Sequence, residues 1–340
     1  MTDDSRKTLF HPFETGDLPI PPEGTRVLFS GAEPGLRLPA GFAADLALAQ
    51  PFRPSFRALE EAGFEISPRA EGAGYDAAFV LCGRHRRQNE ARIADALTRV
   101  REGGLVLVAG SKVNGIDSLR RKVAGTVPLA GSLAKYHGIA FWFPRPVDAP
   151  AAVAVLAPAG LALVDGRFRT APGMFSPDHV DPGSRLLVES LPDDISGDVA
   201  DFGAGWGYLS AELLSRSDAV SRIDLYEADF EALEAARRNL AGSDSAAQTG
   251  FFWSDLLAEP IEGRYDFIVM NPPFHAGRAA APTIGQGMIL AAARALKPRG
   301  RLYLVANRQL PYEEVLARDF RKSGETVRDA SYKVLWAVRR

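Results

Sequence analysis

Along the second half of the chain, short apolar runs alternate with longer segments whose apolar residues recur at helical spacing. The runs 199–202, 222–227, 250–253, 265–270 and 302–306 predict strands, because each is short and is bounded by turn or polar residues. After a glycine loop, a helix is predicted to run to about 216, with further helices over 230–240, 284–296 and 313–322 and a closing strand at 334–338. Lys297-Pro298-Arg299-Gly300 is a helix stop. Strands separated by helices need parallel crossovers, so the expected fold is α/β, a doubly wound sheet with helices on both faces.

The first half carries a weaker copy of this pattern. Tyr75-Asp76-Ala77-Ala78-Phe79-Val80 parallels Tyr265-Asp266-Phe267-Ile268-Val269-Met270, and Gly104-Leu105-Val106-Leu107-Val108 parallels Gly300-Arg301-Leu302-Tyr303-Leu304. Near the two ends, Phe141-Trp142-Phe143 parallels Leu335-Trp336-Ala337, and the offset stays between 190 and 196 residues. The expectation is two tandem doubly wound, Rossmann-like domains. Where the second has Asn271-Pro272-Pro273, the first is aligned with Cys82-Gly83-Arg84, so the first is expected to be degenerate. Four prolines between 144 and 158 mark the junction. The domains are placed at 1–145 and 165–340, with a linker at 146–164.

Composition narrows the function. The 340 residues carry 40 basic and 42 acidic side chains, a formal charge of −2, so any RNA contact must use a local patch. The single cysteine, Cys82, forbids an intrachain disulfide, and the five histidines show no metal-ligand spacing, so no metal is expected. The start is acidic and polar, unlike a secretory signal, and the longest uncharged stretch, 149–164, is too short to span a bilayer. A cytoplasmic protein without a membrane partner is expected. Arg84, Arg86 and Arg87 form a basic cluster that either grips RNA phosphates or is a solvated surface run.

The chemistry concentrates at two loops. Asp201-Phe202-Gly203-Ala204-Gly205-Trp206-Gly207 follows a strand and opens a helix, and Gly203, Gly205 and Gly207 allow tight turning and close approach to a ligand. Glu227, at the next strand end, is placed to accept from ribose hydroxyls. A dinucleotide fold shares these features, but its third fingerprint glycine would fall on Tyr208. Asp201 suits a cationic ligand end better than pyrophosphate, so S-adenosylmethionine fits as cofactor. Asp255 in Ser254-Asp255 is either an acceptor for the adenine amino group or a helix cap.

The second loop is Asn271-Pro272-Pro273-Phe274, directly after an apolar strand. Each proline holds the residue before it extended, which fixes the Asn271 side-chain carbonyl and the Pro272 backbone carbonyl. Two aimed acceptors can hold both hydrogens of an aromatic amine while its nitrogen faces an activated methyl, and Phe274 offers a face on which a base can stack. Positioning and electrostatics then carry the transfer without a strong base.

With these motifs, the second domain resembles the class I S-adenosylmethionine-dependent methyltransferases that act on guanine N2 in small-subunit ribosomal RNA, the methyltransferase C type. Gly173-Met174-Phe175-Ser176, Asp181-Pro182-Gly183-Ser184, Val305-Ala306-Asn307 and Leu310-Pro311-Tyr312 look like that family's motifs. The resemblance implies a degenerate first domain that helps bind RNA. It implies ribosomal RNA or the small subunit as partner, with Asn271, Pro272 and Phe274 catalytic and Asn271 also contacting the cofactor. In the wider superfamily, Tyr after Asn-Pro-Pro accompanies adenine N6 or glutamine methylation, and Phe274 instead resembles the guanine-N2 pattern. Ala204 and Trp206 depart from the Cys or Thr often found between the loop glycines. The competing readings are methylation of another amine (23S guanine, adenine N6 or protein glutamine), a non-catalytic RNA-binding assembly protein, and a nicotinamide-dependent oxidoreductase.

Overall fold

The structure is a computed structural model and describes residues 5–157, 163–273, 275–276, 279–280 and 282–340. The chain divides into two compact units, Met1–Gly160 and Leu161–Arg340.

The first unit contains α1 (Ser5–Glu14), β1 (Arg26–Ser30), β2 (Asp45–Ala49), α2 (Arg53–Glu61), β3 (Ile66–Ser67) and β4 (Tyr75–Cys82). It continues with α3 (Arg86–Arg99), β5 (Val100–Ser111), α4 (Ile116–Ala124), β6 (Gly131–Lys135), β7 (Gly138–Pro144) and α5 (Ala149–Leu156). Its sheet order is β3-β2-β1-β4-β5-β7-β6, with β7 antiparallel to both neighbours and the other pairs parallel. Leu9, Phe10, Phe13 and Leu59 from α1 and α2 pack one face, and α3, α4 and α5 pack the other. The segment expected as a linker, 146–164, thus contains a helix of this unit, whose Ala152 and Leu156 enter the core. Its prolines had pointed to a break, yet Pro150 sits in the first turn, where a missing N–H costs nothing.

The second unit contains α6 (Pro182–Glu189), β8 (Gly197–Phe202), α7 (Tyr208–Arg216), β9 (Val220–Glu227), α8 (Phe230–Leu240), β10 (Gln248–Trp253) and β11 (Tyr265–Met270). A short ladder of β12 (His275–Ala276) and β13 (Ala279–Ala280) precedes α9 (Pro282–Ala295) and β14 (Leu296–Asn307). The chain closes with α10 (Glu313–Asp319), β15 (Lys322–Arg328) and β16 (Tyr332–Val338). The sheet order, β10-β9-β8-β11-β14-β16-β15, repeats that of the first unit, including the antiparallel sixth strand. Helices α6, α7 and α8 cover one face, and α9 and α10 the other. The sheets are therefore mixed, and the helix expected to reach 322 stops at Asp319. Lys322 instead opens an edge strand, whose polar residues hid it because it pairs on one side only. No helix among the described residues is long and apolar enough to cross a membrane.

The two units share details as well as order. Asp76 Oδ2 accepts from the Arg26 backbone at 2.9 Å, and Asp266 Oδ2 accepts from the Asp198 backbone at 2.9 Å. In both edge hairpins a glycine lies under a tryptophan: a Cβ would meet the Trp142 ring at 2.1 Å from Gly131, and the Trp336 ring at 2.8 Å from Gly324. Strand register then fixes which residues correspond. Phe29 and Phe79 pair as Asp201 and Val269 do, and Val80 falls where Met270 falls. Leu81, rather than Cys82, thus holds the place of Asn271, one residue from the correspondence read along the sequence.

The substitutions across this register make the first unit degenerate. Phe29 stands for Asp201, Gln50 for Glu227 and Leu81 for Asn271. The space beside its first loop is filled from α3. Arg92 donates to the Leu81 carbonyl at 3.1 Å, and a Cβ on Gly31 would lie 2.7 Å from the Arg92 guanidinium.

Candidate active site

The site lies at the carboxyl edge of the second sheet, where β8, β9 and β11 end side by side. Gly203 and Ala204 hang from β9 through their N–H groups, which donate to the Tyr226 carbonyl at 2.8 and 3.1 Å. Gly203, Gly205 and Gly207 all have positive φ, at 75°, 55° and 89°. They do different work. A Cβ on Gly207 would press within 2.9 Å of Leu240 and 3.0 Å of Ala236, so this glycine lets α7 pack on α8. A Cβ on Gly205 would meet nothing within 4 Å, so here the backbone itself faces open space.

Glu227 ties the loop to the next strand. Its two carboxyl oxygens accept from Gly205 N at 2.7 Å and Asp229 N at 2.8 Å, and each keeps capacity for another donor. Burial pushes its pKa up to about 7 despite the bonds from Asp229 and Gly205. Asp201 is fully buried, and its Oδ2 accepts from Ser210 Oγ at 2.7 Å. Burial, and secondarily the charge of Glu227, pushes it up to about 7 as well. Its other oxygen has no hydrogen-bond partner among the described residues. Asp201 therefore stands under the loop rather than in the cavity.

Asp255 behaves as a turn cap. Its Oδ1 accepts from Leu257 N at 3.0 Å, and its own N–H donates to Glu259 at 2.7 Å. Ser254 N donates to the Glu227 carbonyl at 3.0 Å, which brings this turn beside the loop acid.

Asn271 emerges from β11 partly exposed and Pro272 is buried. The Asn271 amide nitrogen donates to Asp181 Oδ2 at 2.9 Å and to Ser184 Oγ at 2.8 Å. Phe274 lies outside the described residues.

One cavity joins the glycine loop to Asn271, while Asp201, Glu227, Asp255 and Pro272 lie outside its lining. Gly203, Ala204, Gly205 and Trp206 of the loop line it together with Asn271, Asp181, Ser184, Phe175, Ser176, Tyr208 and Leu209. Trp206, the departure noted in the loop, is an anchor. It packs on Phe168 at 5.1 Å between ring centroids, and its Nε1 donates to the Phe175 carbonyl at 2.9 Å. That bond draws the 164–180 segment over the cavity, with Ser176 in left-handed backbone (φ 44°). Among the described residues its lining holds one carboxylate, Asp181, and no Lys, Arg or His side chain. The open backbone at Gly205 and the remaining lone pairs of Glu227 beside it fit S-adenosylmethionine.

A family model described as the methyltransferase small domain matches residues 165–336. A ribosomal RNA small subunit methyltransferase C of Salmonella paratyphi B is 32% identical over 320 residues, covering 88% of this chain and 87% of that protein. The Klebsiella pneumoniae protein of the same name is 31% identical over 270 residues, covering 75% of this chain and 73% of its own. The chain belongs to the ribosomal RNA small subunit methyltransferase C family. A solved 16S rRNA N2 methyltransferase of T. thermophilus, in complex with AdoMet and guanosine, matches over 100% of this chain and 92% of its own. The identity there is 26% and the TM-score 0.80. The likeness spans both units, as expected if the whole two-unit plan belongs to the methyltransferase C family.

Within that family frame, sequence reasoning assigned no role to Asp181, Ser184 or Phe175. Asp181-Pro182 reads as an ordinary helix start, and α6 does begin there, with Asp181 as N-cap. The sequence signal for a second role was present only as a family motif.

Proposed function

We infer that this protein transfers the methyl group of S-adenosylmethionine to the exocyclic N2 amine of a guanosine in small-subunit ribosomal RNA. The observation that carries this reading is the shared cavity: the backbone of the glycine loop and the side chain of Asn271 face the same space. When bound, S-adenosylmethionine supplies a methyl on a sulfonium, whose carbon–sulfur bond breaks with its electrons left on sulfur as the nitrogen–carbon bond forms.

Glu227 holds the ribose hydroxyls, and the Gly203–Gly207 loop shapes the methionine end above Asp201. Asp255 and its turn border the adenine. Asn271 Oδ1 and the Pro272 carbonyl accept the hydrogens of the target amine, so that the nitrogen lone pair points at the methyl. Phe274 stacks on the base, and the proton released from nitrogen passes to solvent. Ribosomal RNA, free or in the small subunit, is the partner, and the cytoplasm is where it would be met. The first unit contributes RNA-binding surface rather than chemistry.

Incubation of the purified protein with S-adenosylmethionine and unmodified small-subunit RNA, followed by nucleoside mass spectrometry, tests this. The expected product is N2-methylguanosine. Methyladenosine, or methyl transfer only to a protein glutamine, would replace the substrate while keeping the cofactor.

A further inference from the structure

The amide of Asn271 is held by two largely buried groups that line the same cavity. Asp181 and Ser184 are 8% and 7% exposed, and both accept from its Nδ2. Asp181 is itself fixed. The same Oδ2 accepts the Ser184 backbone N–H at 2.8 Å as the cap of α6. Pro182 starts that helix, and at Gly183 a Cβ would crowd Asp181 Oδ2 at 3.0 Å and the Tyr332 ring at 2.9 Å.

We propose that Asp181 and Ser184 are positioning residues for the methyl transfer, selecting the single orientation of the Asn271 amide that presents oxygen to the target amine. The selection is electrostatic. Turning the amide over would set its oxygen 2.9 Å from a carboxylate oxygen, replacing a charge-assisted hydrogen bond by repulsion. Ser184 supplies a second acceptor, so both hydrogens of Nδ2 are engaged and only Oδ1 is left for the cavity. An acceptor is what an exocyclic amine requires, while a ring carbonyl brought to the same place would be repelled. The pair thus sets both the aim and the chemical sign of a contact it does not itself make. This inference rests on Asn271 being the acceptor for the amine.

The test uses the full chain and two variants that leave α6 a cap. Asp181→Ser keeps a capping oxygen too short to reach Asn271. Ser184→Ala removes the hydroxyl but keeps the backbone N–H that Asp181 binds. Asp181→Asn serves as the conservative rescue, since it keeps an acceptor oxygen without the charge. In ¹⁵N NMR, the Asn271 side-chain amide, assigned by its loss in Asn271→Ala, should exchange slowly in the wild type and fast in Asp181→Ser. Single-turnover methyl transfer to unmodified small-subunit RNA should fall about 10–100-fold in Asp181→Ser and less in Ser184→Ala, with Asp181→Asn in between. Calorimetric affinity for S-adenosylmethionine should fall clearly less than the transfer rate in each variant. Unchanged amide exchange in both variants, or rate and cofactor affinity falling in parallel, would overturn the proposal. A wild type inactive on guanine would overturn the substrate reading alone, because the exchange measurement needs no substrate.

Discussion

Gln50 holds in the first sheet the place that Glu227 holds in the second, and the two side chains grip opposite groups of the loop beside them. Glu227 accepts N–H groups from Gly205 and Asp229. Gln50 accepts from Phe52 N at 2.9 Å but donates its Nε2 to the Ala32 carbonyl at 2.7 Å. One loop turns an N–H toward the strand end and the other a carbonyl. The acid and the amide are each matched to their own loop.

Glu227→Gln is therefore expected to be a poor mimic. Its amide nitrogen would face the N–H of either Gly205 or Asp229, donor against donor, and a charged acceptor for ribose would be lost. Affinity for S-adenosylmethionine should fall at least about tenfold, in line with about 1.5–3 kcal/mol for a charged hydrogen bond. Titration calorimetry measures it, and an affinity within a factor of two of wild type would contradict the assignment.

Asn271→Ala separates binding from chemistry. The described hydrogen bonds of Asn271 go to Asp181 and Ser184 rather than to the glycine loop proposed to hold the cofactor, so turnover should drop by about 10² or more, with a smaller loss of cofactor affinity. A matched loss of both would remove Asn271 from the transfer step.

The two raised carboxyls give a pH dependence of definite sign. Asp201 and Glu227 are both pushed up to about 7, above their values in an unfolded chain. Between roughly pH 4 and 7 the folded protein thus binds more protons at these groups, and stability without ligand should fall as pH rises through that window. A cationic ligand favours the ionised pair, so S-adenosylmethionine should bind about tenfold more tightly at pH 8 than at pH 6. The slope should flatten in Glu227→Gln, and calorimetry across that range decides it.

The glycines beneath the edge tryptophans are predicted to be intolerant of a side chain. Gly131→Ala would drive a methyl into Trp142, which is 7% exposed and has little room to yield. A loss of about 1–3 kcal/mol is expected, read as a lower Tm. Gly324→Ala should cost less, because Trp336 is less buried.

The parallel strands and their helices were legible because their apolar runs are buried on both faces, as at Phe267, Ile268, Val269 and Met270. The edge strand from Lys322 was not, since a strand paired on one side needs few apolar residues. At the site, the glycine loop, Glu227 and Asn271 could be found because their chemistry is local in sequence. The Asp181–Asn271 bond spans 90 residues and is closed only by the fold. Trp206 looked like a departure from pattern, and its anchoring bond to Phe175 appears only when the chain folds back across the loop.

Arg92 has a consequence for how the two halves breathe. A guanidinium lodged at the end of β4 fills the place whose counterpart in the second unit borders the proposed cofactor loop. The silent half is thereby released from the compromise between rigidity and turnover. Hydrogen–deuterium exchange should find the ends of β1 and β4 slower than those of β8 and β11, an imprint of lost chemistry written as added stillness.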